Sequence, residues 1–158
     1  MSARQILVAG TSVIKSSLAL PATATGTLFT VAGGGVIVTG LLGRVTGALG
    51  AVATTLAIGT TNSTTTSLAT ATTVTSSAAG TFLIPTVSSS AGGALTVTRG
   101  PAFLNSGWPT TNDFNIPTLF GAFFLANDAI TWTTSATDTG AVTWYLWYVP
   151  IDTSASVS

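Results

Sequence analysis

The sequence predicts an all-β protein, an antiparallel β-sandwich with a jelly-roll-like pattern of about eight to ten short strands. The first observation is a composition rich in Thr, Val, Ser and Gly, which form helices poorly. Thr and Val are also favoured in strands. The second is that short runs alternate apolar with small or polar residues, as half-buried strands do. The third is that turn signals recur at intervals of roughly ten residues, which is typical of sandwiches and small barrels.

The chain is unusually poor in charge. Charged residues make up 5% of its 158 residues, whereas soluble domains carry roughly 25%. A net charge of zero and scattered basic residues exclude a nucleic-acid partner, which needs clustered Lys and Arg. A neutral surface also lacks the repulsion that keeps monomers apart, so we expect self-association. The charged residues are Arg4, Lys15, Arg44, Arg99, Asp113, Asp128, Asp138 and Asp152.

Three regions are predicted along the chain. Residues 1–25 form an N-terminal arm or a first strand, because Pro21 and the Ala/Thr residues after it favour extended structure. Residues 26–152 form the β-sandwich domain, and residues 153–158 form a flexible tail. Strand candidates within the domain are 27–31, 35–48, 81–84, 94–99 and a buried run at 119–127. For 35–48, periodicity leaves a short helix as the alternative.

Two hairpins are predicted. TTLAIGT at 54–60 and SLATATTVTS at 67–76 flank a polar turn. AITWTTSA at 129–136 and AVTWYLWYVPI at 141–151 flank TDTG, whose Asp138 and Gly140 supply turn chemistry.

Residues 100–118 differ in character from the rest. Three prolines and several Asn residues predict a long irregular loop, and loops of this length in compact domains tend to be functional. Its aromatic residues favour an ordered conformation and make this segment a candidate exposed recognition loop. They are Phe103, Trp108 and Phe114.

No motif for catalysis, metal binding or a cofactor emerges. The chain has no His, Cys or Glu, so a Ser-His-Asp triad is impossible and an enzyme is not expected. The four Asp residues stand singly, without the spacing of a calcium loop. Residues 32–59 are long enough to span a bilayer, but Arg44 near their middle would cost about 2.5–3.5 kcal/mol, so no membrane segment is predicted.

The C-terminal hairpin carries bulky side chains on both faces of one strand. Successive side chains of a strand point to opposite faces, and each large apolar side chain contributes about 1.5–3 kcal/mol when buried. We therefore expect a second copy to cover one face, in an obligate homo-oligomer with a trimer favoured. A sugar-stacking platform is the alternative. The residues assigned to the core or the oligomer interface are Trp132, Trp144, Tyr145, Leu146, Trp147 and Tyr148.

Arg44 and Arg99 are flanked by apolar residues. An unpaired buried charge is very costly, so each is expected to pair with an Asp or with backbone carbonyls.

Four segments, in order, carry a resemblance: SLALPATATGTLFTVAGGGVIVTGLLGRVT, ATTLAIG, GTFLIP and TSATDTGAVTWYLWYVPID. The chain resembles small β-rich virion proteins of tailed bacteriophages, over about residues 18 to 152. The most specific part is T-G-A-V-x-W-x-L-x-Y-V-P at 139–150. This chain departs from the family in its lower charge and longer 100–118 region.

The resemblance implies a virion surface component and no catalytic residues. The first hypothesis is a capsid-decoration or head-fibre protein that binds the major capsid protein or other virion proteins, with residues 1–25 as the docking segment. It would be assembled in the host cytoplasm and located in the virion. The alternatives are a tail or tail-tip protein and a glycan-binding receptor-recognition module that uses 100–118.

Overall fold

The computed structural model describes residues 11–61, 67–85, 93–98 and 122–158. Within these ranges the chain forms eleven strands and no helix. No helix in the described part is long and apolar enough to cross a membrane. The strands are β1 (Thr11–Ala19), β2 (Thr25–Ala32), β3 (Gly35–Gly47), β4 (Thr55–Thr60), β5 (Ser67–Thr73), β6 (Phe82–Pro85), β7 (Gly93–Thr98), β8 (Phe123–Ala126), β9 (Ala129–Thr134), β10 (Ala141–Pro150) and β11 (Ser156–Val157).

The strands follow one hydrogen-bonded path, β1-β10-β3-β6-β7-β5-β4-β9-β2-β11, and β8 pairs with β3 beside it. We call β1, β10, β3, β6, β7 and β8 the first sheet, and β5, β4, β9, β2 and β11 the second sheet. Every pairing is antiparallel except β5 with β7, where the sheets join. The all-β class is confirmed, and the arrangement is consistent with a β-sandwich.

In the part of the chain that the structure describes, one hydrophobic core lies between the sheets. In β3, Val36 and Val38 are buried in alternation, and the alternation slips by one residue before the buried Leu41, where the pairing with β10 has an irregularity between Trp147 and Tyr148. Phe29 of β2 and Ile130 of β9 fill the opposite side. This inward and outward alternation is the period-2 pattern from which the strands were predicted.

The predicted hairpin of β4 and β5 is confirmed. The strands pair antiparallel from Thr55 opposite Thr73 to Gly59 opposite Ser67. The residues of its tip, 62–66, lie outside the described part of the chain.

The predicted hairpin of β9 and β10 is wrong. β9 pairs with β2 and β4 in the second sheet, whereas β10 pairs with β1 and β3 in the first. Residues 135–140 therefore cross between the sheets, and Asp138 secures the crossing by accepting a hydrogen bond from Thr54 Oγ1 at 3.1 Å. Both strands carry a buried indole, and placing them in opposite sheets lets both indoles fill the same core.

The flexible tail predicted at 153–158 is also wrong. β11 pairs with β2, and Thr30 and Ser158 exchange two backbone hydrogen bonds of 2.9 and 3.0 Å. Val157 is buried in the core and anchors this segment there. The Ser-rich composition around it does not indicate this burial.

Two other predicted segments are described only in part. Residues 11–19 form β1, the first strand, whereas residues 1–10 lie outside the described residues. The run at 119–127 was expected to be a buried strand. Its described portion, β8, buries Leu125 but leaves Phe124 62% exposed.

Candidate functional site

The inner face of β10 belongs to the core. Trp144, Leu146 and Tyr148 are buried there, and Trp132 of β9 meets Trp144 edge to face at 6.0 Å between ring centroids. Gly43, opposite Trp144 on β3, makes room for the indole, since a Cβ there would lie 2.9 Å from Trp144 Cζ3. Of the two roles predicted for these four aromatic and aliphatic residues, core or interface, the structure places them in the core.

The outer face of β10 is different. Tyr145 is half-buried and Trp147 is 38% exposed, and their rings lie nearly parallel, 6.3 Å apart with an angle of 17° between planes. The indole of Trp147 leans over Gly40 of β3, where a Cβ would lie 2.9 Å from its Cε3. Large rings thus remain on a surface that the described chain leaves partly open to water.

Neighbouring strands extend this surface with more apolar side chains. Ile14 of β1 and Leu42 of β3 flank Tyr145 in register, and Ile14 is 54% exposed. Ile37 of β3 pairs with Phe124 of β8, whose ring covers Gly35. We call this surface the aromatic face and define it by Ile14, Ile37, Leu42, Phe124, Tyr145 and Trp147.

The outer face of the second sheet has the opposite chemistry. Thr25 lies opposite Thr133, with 2.7 Å between their hydroxyl oxygens, and Thr27 lies opposite Thr131. Hydroxyl groups tolerate water and bond to one another across strands. The chain therefore separates a hydroxyl face from an aromatic face on opposite sides of the sandwich.

One basic and one acidic side chain stand at opposite ends of the aromatic face. Arg44 of β3 lies opposite Thr143 of β10. Thr143 precedes Tyr145 by two residues, so Arg44 is on the same face as Tyr145. At the other end, Asp152 Oδ2 accepts a 2.7 Å hydrogen bond from Gly35 N and lies 3.6 Å from the position of a Cβ on Gly35, the side that Phe124 covers.

The burial on which the predicted pairing of Arg44 depended is not found, because Arg44 is exposed. Its pairing with an Asp or with backbone carbonyls stays a prediction. Because the side chain extends into water at the sheet surface, its charge needs no partner within the chain.

Three predicted site residues, Phe103, Trp108 and Phe114, and Arg99 lie outside the described residues. Sequence reasoning missed Ile14, Phe124 and the position of Asp152. Ile14 stands between Val13 and Lys15, so the local sequence does not mark it as part of a surface. Tyr145, its neighbour in the fold, is far away in sequence. Only the strand register brings these side chains together.

No family model, curated protein or solved structure matches this chain. Among the described residues, no group of three or more His, Cys, Asp or Glu side chains could hold a metal ion. The aromatic face offers rings and aliphatic groups with few hydrogen-bonding side chains among them. Such a surface is suited to packing against another apolar surface.

Proposed function

We propose that the chain is a structural protein of a bacteriophage virion, a capsid-decoration protein that binds the assembled shell as a homo-oligomer. It has no enzymatic role in this proposal. The proposal combines the resemblance of residues 18–152 to small virion proteins with the chemistry of the surface. Other virion proteins, above all the major capsid protein, are its expected partners.

The observation that carries the proposal is the exposed aromatic face on a chain with so little charge. Trp147 and Phe124 remain substantially exposed, although a soluble monomer normally avoids joining such side chains into one patch. Tyr and Trp are enriched at protein interfaces because they bury a large area at low entropic cost. A protein that functions in a permanent assembly has a use for this surface.

Quantitative mass spectrometry of purified particles tests the proposal. A decoration protein is expected in many copies, in a fixed ratio to the major capsid protein, and should rebind to shells from which it has been stripped. A tail or tail-tip protein, the alternative within the same class, would be present in few copies and would fractionate with isolated tails. Absence of the chain from purified particles would contradict both.

A glycan-binding module is the second candidate, favoured by the nearly parallel rings of Tyr145 and Trp147. Sugars stack on such rings, but their recognition also needs well-placed polar groups. Binding to a glycan array that is lost in Trp147→Ala would support this candidate and locate it on the aromatic face. Loss in Trp108→Ala would instead locate it in 100–118.

A further inference from the structure

We propose that the aromatic face is a self-complementary contact in which two copies of this chain pack face to face. The two-fold axis lies between the two faces, runs at right angles to β3 and passes above Gly40. The inference rests on the proposed function for its biological meaning. Its geometry is given by the described residues alone.

The exposed apolar surface of the aromatic face is large enough to form a substantial part of an interface. At roughly 150–250 Å² per aromatic side chain, the exposed fractions of Phe124 (62%) and Trp147 (38%) leave roughly 200 Å² of ring surface in water. A standard interface buries about 800 Å² on each partner. Two rings alone therefore supply about a quarter of one side, and Ile14, Tyr145 and the β3 residues surround them.

The positions of two charges on the aromatic face indicate that a second copy of the chain binds there. Gly35, which binds Asp152, and Arg44 are nine positions apart on β3, so the two charges stand roughly 30 Å apart along one strand. Gly40, beneath the Trp147 indole, lies halfway between them. The face is thus negative at one end, positive at the other and apolar in the middle.

A two-fold axis of this kind reverses the strand direction of the partner and keeps β3 over β3. Arg44 of each copy then faces Asp152 of the other, and the two Trp147 side chains meet near the centre. Reciprocal contacts of this type define an isologous interface. A parallel arrangement, such as a trimer around an axis along the strands, would place like charges together.

The proposed contact makes a dimer, whereas the sequence favoured a trimer. It also leaves the hydroxyl face of Thr25, Thr27 and Thr133 outward on both sides of the pair. Asp138 lies beyond the Arg44 end, where its carboxylate is engaged by Thr54 and Thr139. It therefore does not compete for Arg44.

Sedimentation velocity of the full chain over a concentration series is the first measurement. The wild type should be a dimer, and Trp147→Ser should raise the dissociation constant at least about 30-fold, as loss of an interface hot spot does. Val52→Ser is the matched control, because Val52 is 48% exposed in the 48–54 connection, and it should leave the dimer unchanged.

Charge exchange tests the direction of packing. Arg44→Asp and Asp152→Lys should each weaken the dimer by roughly 10-fold, while an equimolar mixture of the two should restore it, because only the mixed dimer has two opposite-charge pairs. Thr27→Asp on the hydroxyl face controls for added charge. If Asp152→Lys fails to fold, Arg44→Asp/Asp152→Asn should associate more tightly than Arg44→Asp alone.

A wild-type monomer or trimer would overturn the inference, as would a dimer that is insensitive to Trp147→Ser or a mixture that is no better than its components. A monomer that binds stripped shells through Trp147 would also overturn it and assign the face to the shell. The proposed function fails separately. A chain absent from particles that still forms this dimer would leave the inference standing, whereas a particle component without the dimer would leave only the function.

Discussion

Trp132 and Trp144 meet edge to face across the core, with ring centroids 6.0 Å apart and ring planes at 88°. Trp132 belongs to β9 of the second sheet and Trp144 to β10 of the first, so the contact joins the two sheets. Such aromatic pairs contribute about 0.5–1.5 kcal/mol beyond the burial of their surface. The pair is therefore a sensitive site at which to test the sandwich.

Truncating Trp144 should destabilise the protein strongly. Trp144→Ala is expected to lower the free energy of unfolding by about 3–5 kcal/mol, because it leaves a cavity at the centre of the core. Urea denaturation followed by circular dichroism measures this. Val52→Ala, at an exposed position, should change it by no more than about 0.5 kcal/mol.

Trp144→Phe should cost much less than Trp144→Ala. The Nε1 group of Trp144 is buried with no hydrogen-bond partner among the described residues, so the smaller ring removes an unsatisfied donor while keeping most of the apolar contact. Equal losses in the two variants would contradict this expectation.

Two glycines of β3 offer a matched comparison. A Cβ at Gly43 would lie 2.9 Å from the buried Trp144 ring, and one at Gly40 would lie 2.9 Å from the exposed Trp147 ring. Gly43→Ala should destabilise by about 1–3 kcal/mol, because the core cannot yield. Gly40→Ala should cost less, because Trp147 can move into solvent.

Thermal and urea denaturation of both glycine variants check this difference. The same residue type is replaced in the same strand, so the effect on the unfolded chain is shared. An equal loss at Gly40 would mean that Trp147 is held as firmly as Trp144.

The crossing between the sheets should depend on Asp138. Its carboxylate accepts hydrogen bonds from Thr54 Oγ1 and from Thr139 N, at 3.1 and 2.7 Å. Asp138→Ala should lower the free energy of unfolding by about 1–3 kcal/mol, and Asp138→Asn, which keeps an acceptor oxygen, by less. Hydrogen exchange at the Thr139 amide should speed up in Asp138→Ala, and an unchanged rate would contradict the assignment.

The C-terminal residues should act as part of the sheet. Val157→Asp places a carboxylate in the core, so β11 should detach from β2 and the Thr30 and Ser158 amides should exchange faster. The neighbouring variant Ser156→Asp, at an exposed position, is the control. If Val157→Asp leaves the Thr30 amide as protected as Ser156→Asp does, burial of Val157 is not what holds β11 on β2.

Local patterns in the sequence were enough to place most strands. Alternation at 54–60 and 67–76 predicted both strands of the β4–β5 hairpin, and the apolar run at 35–48 predicted β3. The reason is that side-chain direction along a strand has a period of two, which any short window reveals. The pairing of β4 with β5 also followed, because a polar turn joins neighbours in the chain.

Partners that are distant in sequence could not be predicted in this way. TDTG has the composition of a hairpin turn, but the same residues serve a crossing between sheets, and only the packing of Trp132 against Trp144 distinguishes the two. Val157 shows the same effect, since one apolar residue in a Ser-rich segment carries no periodic signal.

The candidate site combines both kinds of information. Tyr145 and Trp147 stand out in the sequence, and their shared side of β10 follows from the strand period. Which side meets the core, and which side Ile14 and Phe124 join, depends on strand register across β1, β10, β3 and β8. Register is fixed by contacts between distant segments, from 85 positions apart for Val38 and Phe123 to 137 for Thr11 and Tyr148, so the chemistry of this surface is a property of the folded chain.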